Sequence, residues 1–183
     1  MAQYARPDAD DTDGNWTDKS GGGTLYTSID ESSADDATTY IKVTDGGSNE
    51  ACVVRLSDVS TPDSGNAYIK YKALTEDNAG TGDPPDLKLE LLQGSTVKAT
   101  TTNTSVNTSS WTAYSYTISD TSGVSDWTDL KMRITMIAGS GAGMGAGDVM
   151  KVTQVYLETP DASSGGSTPI AAIAGNTYRQ MRG

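Results

Sequence analysis

Leu130 to Ile137, Leu-Lys-Met-Arg-Ile-Thr-Met-Ile, constrains this chain more than any other stretch. Leu130, Met132, Ile134 and Met136 alternate with Lys131, Arg133 and Thr135. Successive side chains of a strand point to opposite faces, so this run has one apolar face and one wet face. A helix would need apolar residues three and four apart, which the run does not supply. Trp127-Thr-Asp leads in, and a glycine-rich run from Gly139 to Gly147 leads out. Asp148 to Glu158 then reads as a returning strand. The spacing predicts a hairpin at the centre of an all-β sandwich.

Other runs repeat the pattern. Thr39 to Val43 sets Ile41 and Val43 on one face, and Ala51 to Ser57 sets Cys52, Val54 and Leu56 inward. Ala67 to Ala73 turns Ile69 and Tyr71 in and Lys70 and Lys72 out. Leu87-Lys-Leu-Glu-Leu91 is the cleanest alternation, and Gln93-Gly94-Ser95 turns it into Thr96 to Thr100. Trp111 to Ile118 is read as a strand, and Leu25 to Ile29 as a short weak one. The last strand changes phase: Met150 and Val152 share one face, Val155 and Leu157 the other. One extra residue near Thr153-Gln154, a β-bulge, restores a single apolar face, which is a simpler reading than two covered faces. About eight to ten strands at roughly ten-residue spacing, with no helix before residue 160, give a jelly-roll-like antiparallel β-sandwich.

At 183 residues the chain suits one domain with tails. We place an extended N-terminal segment at 1–24, the sandwich at 25–160, and a linker with an attachment tail at 161–183. There is no Phe, so Leu, Ile, Val, Met, Tyr and Trp must build the core. The net charge of −11 repels phosphate backbones and anionic lipid, which argues against nucleic acid and membrane partners. No stretch approaches the ~20 apolar residues of a spanning helix, and the first residues carry no apolar run of the kind a secretory signal needs. Cys52 is the lone cysteine, so no intrachain disulfide forms, and its alternation with Val54 and Leu56 marks it as buried.

The tail differs from the body. Asp161-Ala-Ser-Ser-Gly-Gly-Ser167 is a linker, and Thr168-Pro169 has the form of a helix cap and first turn. Residues 162–183 hold two arginines and no acid, so the tail carries +2 and the rest −13. Ile170, Ile173, Tyr178, Arg179, Met181 and Arg182 are the candidate partner-binding residues. A basic, apolar arm on an acidic domain is suited to attachment.

Chemistry finds few candidates. Asp8, Asp10, Asp11 and Asp13 precede Gly14, and Asp30, Glu31, Asp35 and Asp36 form a second acidic cluster. Carboxylates in a glycine-rich loop can hold calcium, but with Gly14 placed sixth, Ala9 and Ser20 fall at the first and last EF-hand ligand positions. Both clusters therefore read as solvated loops, with no metal and no cofactor. The absence of His removes a Ser-His-Asp triad and leaves zinc poorly served. A glycosidase needs two positioned carboxylates, and no spacing nominates a pair. The glycine-rich run precedes a strand, not a helix, so it is no phosphate cradle. The expectation is a protein that is not an enzyme. Sugar binding would want exposed aromatics, for which Trp16, Trp111, Trp127, Tyr26 and Tyr114 are available.

Arg6-Pro-Asp-Ala-Asp, Asn15-Trp-Thr, Thr24 to Glu31, Asp35-Asp36, Tyr40-Ile41, Val155 to Pro160 and Tyr178 to Gly183 together resemble the jelly-roll decoration, or cement, proteins of tailed bacteriophage capsids. The resemblance implies a non-enzymatic virion structural protein on the capsid exterior, made in the host cytoplasm. It implies a homo-oligomer, often a trimer, that binds the major capsid protein and stabilises contacts between its subunits. The alternative is a carbohydrate-binding β-sandwich module of a phage tail or bacterial protein, with a glycan as partner.

Overall fold

The computed structural model describes residues 1–36, 38–78, 83–139 and 147–162. In chain order the strands are β1 (Gln3–Ala5), β2 (Pro7–Thr12), β3 (Thr17–Asp18), β4 (Ile41–Thr44), β5 (Glu50–Leu56), β6 (Ala67–Glu76), β7 (Asp86–Gln93), β8 (Thr96–Asn103), β9 (Thr112–Ile118), β10 (Leu130–Ile137) and β11 (Val149–Thr159). They form two antiparallel sheets. The first has the order β3-β4-β11-β6-β9, with β1 beside the far end of β11, and the second β2-β5-β10-β7-β8. The chain is an all-β sandwich, as its alternating runs require.

The core lies between the two inner faces. β10 is the middle strand of the five-stranded sheet, with Ile134 opposite Cys52 on one side and Leu89 on the other. Leu130, Met132, Ile134 and Met136 are fully buried, as are Leu87, Leu89 and Leu91. From the other sheet Ile41, Ile69, Val152, Val155 and Leu157 meet them. The bulge is present: the register of β11 on β6 shifts between Val152 and Gln154. Thr153 itself is buried and donates from Oγ1 to the Thr39 carbonyl at 2.8 Å, so the extra residue is held rather than tolerated.

Four expectations need correction. β10 and β11 are not a hairpin, because they belong to opposite sheets. Alternation reports that a strand has an apolar face but not which strand lies beside it. Leu25 to Ile29 is not a strand but a 3-10 turn at Tyr26–Ser28. The Asp10 carboxylate accepts the Leu25 and Tyr26 amides at 2.8 and 2.7 Å, and Leu25 and Ile29, four apart, both turn inward. Their spacing was helical. The extended segment 1–24 is not separate from the sandwich, since β1 pairs with β11, β2 with β5 and β3 with β4, and Trp16 is core. Nor does the fold stop at 160: the Asp63 amide donates to the Asp161 carbonyl at 2.8 Å, and Ala162 bridges to Pro62.

The wet face of β7 is also less wet than its alternation suggests. Glu90 is only 7% exposed and Leu92 only 5%. Glu90 accepts from Arg133 Nε at 2.7 Å, with Lys88 Nζ at 3.3 Å. Lys131 pairs with Asp11 at 2.9 Å, tying β10 to the N-terminal strand β2.

Candidate ligand-binding face

The outer face of the six-stranded sheet gathers aromatic and charged side chains. Along β6 the inward residues Ala67, Ile69, Tyr71, Ala73 and Thr75 are buried, so Tyr68, Lys70, Lys72, Leu74 and Glu76 face out. After the bulge, Gln154, Tyr156 and Glu158 of β11 face the same way. Pairing fixes the rows: Tyr4 lies beside Glu158 and Glu158 beside Tyr68, while Tyr156 lies beside Lys70.

Two aromatic clusters result. In the first, Tyr4 and Tyr156 meet edge to face, with ring centroids 5.9 Å apart. The Arg6 guanidinium sits 4.8 Å from the Tyr156 centroid and 5.7 Å from that of Tyr4, and also donates to the Glu31 carbonyl. Tyr4 remains 48% exposed. In the second, the rings of Tyr40 and Trp111 lie 5.7 Å apart. Tyr40 enters from the β4 side of β11, and Trp111 from the β9 side of β6, so the two rings bridge the central strands above the sheet. Lys151 Nζ lies 5.0 Å from the Tyr40 centroid.

Ion pairs fill the spaces. Lys70 is 2.6 Å from Glu158, Lys72 is 2.6 Å from Asp36, and Lys151 pairs with Glu76. The Glu158 carboxylate, hydrogen-bonded to it, holds the Lys70 ammonium above its ordinary value. Such a face offers flat ring surfaces beside fixed donors and acceptors. That combination can stack on the C–H face of a ring and hydrogen-bond its hydroxyls.

The aromatics proposed from sequence fare unequally. Trp16 and Trp127 are core, at 2% and 6% exposure, and the Trp16 indole donates to the Glu50 carbonyl at 3.1 Å. Tyr26 packs on the core, and Tyr114 stacks on Tyr71 at 5.1 Å. Only Trp111 reaches the outer face. Tyr4, Tyr40, Tyr68 and Tyr156 were missed, although a signal existed: Tyr68 and Tyr156 each sit one position out of phase with buried neighbours.

The acidic clusters do structural work. Asp10 caps the 3-10 turn, Asp11 and Asp36 pair with lysines, and Asp35 and Glu31 accept the amides of Thr39 and Asp35. Among the described residues no group of three or more acidic, His or Cys side chains is placed to hold a metal. Cys52 is buried, and burial pushes its thiol far up. A cleft of about 320 Å³ between Asp83, Asp86, Thr104 and Gly139, and one of about 390 Å³ near Asn15, Lys42 and Glu50, contain no aromatic side chain. Ile170, Ile173, Tyr178, Arg179, Met181 and Arg182 lie outside the described residues, as does most of the glycine-rich run.

No protein-family model and no curated protein matches the chain. Solved structures of similar shape include a cyclase from Fischerella sp. TAU in complex with 4-(1H-indol-3-yl)butan-2-one, at 15% identity and TM-score 0.47 over 88% of this chain and 75% of that one. The xylan-binding module CBM15 is similar at 11% identity and TM-score 0.47, over 89% and 99%. The C-terminal CBM6 of a marine laminarinase from Zobellia galactanivorans follows at 14% and 0.46, over 87% and 99%. Every TM-score here is below 0.5, so these likenesses carry no inference about function.

Proposed function

We propose that this chain is a non-catalytic carbohydrate-binding module that holds a polysaccharide across the outer face of its six-stranded sheet. One observation carries the reading: Tyr4, Tyr68, Tyr156, Tyr40 and Trp111 share that face, interleaved with Arg6 and three lysine–carboxylate pairs. A chain free to bury its aromatics leaves five of them there, while Trp16 and Trp127 go to the core. Stacking on rings held by the sheet costs little ordering entropy, because each ring is already fixed by a neighbouring ring or cation. The expectation of a capsid partner comes from the resemblance alone, and the tail residues it would use, Ile170 to Arg182, lie outside the described residues.

The test is retention on gels containing laminarin, xylan, galactan, alginate or polygalacturonate, for the wild type and for Tyr4→Ala and Trp111→Ala. The reading expects retention by at least one polymer and about a tenfold loss in a variant, equivalent to about 1.4 kcal/mol. No retention by any of these polymers, or equal retention by all three proteins, overturns it.

A further inference from the structure

The two sheets have exposed edges, and natural sheets guard such edges against pairing with another chain by brevity, charge, proline or bulges. Most edges here are guarded in that way. β3 has two residues and β1 three. β2 begins at Pro7, carries Asp8, Asp10 and Asp11, and is twice irregular in its register on β5. β8 shifts register against β7 between Leu91 and Leu92, which leaves Lys98 at the irregularity.

β9 has none of these devices. It is seven residues long, Thr-Ala-Tyr-Ser-Tyr-Thr-Ile, and pairs with β6 without a break from Ala73–Thr112 to Ala67–Ile118. It contains no proline and no charge; the chain carries no charged residue at all between Lys98 and Asp120. No backbone hydrogen bond among the described residues, apart from the pairing with β6, reaches Thr112 to Ile118. Ala113, Ser115, Tyr116 and Thr117 are exposed, with Tyr116 at 36%.

We propose that β9 is a homodimer interface, pairing antiparallel with β9 of a second copy about a two-fold axis at Ser115. The occupant follows from the sequence of the edge. About Ser115 the strand is self-complementary: Tyr114 falls opposite Tyr116 of the partner subunit, and Ala113 opposite Thr117 of the partner subunit. Tyr114 already stacks on Tyr71 at 5.1 Å, so the pairing extends an aromatic row across the axis, and cross-strand aromatic pairs are favourable in sheets. A chain of net charge −11 repels its own copy over most of its surface, and β9 lies in the neutral stretch where that repulsion is weakest. Such a contact is isologous and closes at two subunits. It joins two six-stranded sheets into one and does not depend on any ligand. An edge contact of this length is at the small end of stable interfaces, so the dimer is expected to be weak and concentration-dependent.

The experiment is light scattering on the full chain over a concentration series, with disulfide trapping. Wild type should move toward twice the 19.1 kDa chain mass as concentration rises. Ser115→Lys, which sets two like charges directly opposite each other across the axis, should stay monomeric and folded. Ser115→Cys should form a covalent dimer under mild oxidation, while Thr117→Cys, whose opposite number is Ala113, should not. A monomer at all concentrations overturns the proposal. So does a trimer, a dimer that survives Ser115→Lys, or equal trapping by the two cysteine variants.

Discussion

Reversing the charge of Glu90 should cost this fold several kcal/mol, although its place between Leu89 and Leu91 in an alternating strand marks it as a solvent position where Lys should be harmless. Glu90 is 7% exposed, hydrogen-bonded to Arg133 across the strand pair and flanked by Lys88. The Arg133 hydrogen bond, helped by Lys88, holds the carboxyl below its ordinary value against the opposing effect of burial. Losing a hydrogen bond between charged groups costs about 1.5–3 kcal/mol, and the low end applies because Arg133 and Lys88 are a third exposed. Glu90→Gln should therefore cost about 1–2 kcal/mol, and Glu90→Lys, which adds repulsion from both neighbours, about 2–4 kcal/mol. For a domain of this size about 1 kcal/mol moves the melting temperature 2–4 °C, so Glu90→Lys should melt roughly 4–16 °C below wild type at pH 7. The pH dependence has a definite sign. A carboxyl lowered in the folded state stabilises above its unfolded value, and that stability is lost as pH falls through the folded value. The gap between wild type and Glu90→Gln should thus be full at pH 7 and close in acid. Calorimetry across pH reads both effects. A melting temperature for Glu90→Lys within 1–2 °C of wild type at pH 7, roughly the span of half a kcal/mol or less, would refute the reasoning.

Leu89→Asp puts an unpaired charge opposite Ile134 in the core and should cost more than about 4 kcal/mol, visible as loss of soluble folded protein. Deleting Thr153 should leave Val155 and Leu157 on the inner face, because the pairing on β6 passes directly from Val152 to Gln154; the deletion and Thr153→Val should each cost only the lost hydrogen bond to the Thr39 carbonyl, about 1–3 kcal/mol in denaturant melts. Cys52 should be inert to thiol reagents in the native protein and react at a rate that tracks unfolding, because it is buried with its thiol pushed up.

What was legible in the sequence follows the range of the interactions. The strand faces of Leu130–Ile137, Leu87–Leu91 and Ala51–Ser57 are local facts, set by a two-residue period, and they can be read directly. The bulge at Thr153 was legible for the same reason, as a phase error inside one strand. Neighbour choice was not: nothing within β10 says that β5 and β7 lie beside it, while β11 lies in the other sheet. The N-terminal strands were hidden because β2 is acidic, its core contribution coming from Pro7 and its role resting on pairing with β5 and on Asp10. The aromatic face was obscured in another way. Tryptophan draws attention by its size, yet two of the three are core, and the outward-facing rings are mostly tyrosines, of which Tyr68 and Tyr156 are signalled by their alternation with Ala67, Ile69, Val155 and Leu157.

The outer face of the six-stranded sheet is the proposed binding surface, and Trp111 reports on it directly. Trp16 and Trp127 are buried, so Trp111, in contact with Tyr40, is the indole that a ligand on this face can touch. Intrinsic fluorescence should be titrated with the same set of polysaccharides for the wild type and for Trp111→Phe. The account predicts a saturable change in tryptophan emission with at least one polymer, absent in Trp111→Phe. No change with any polymer, or a change that persists in Trp111→Phe, would contradict it.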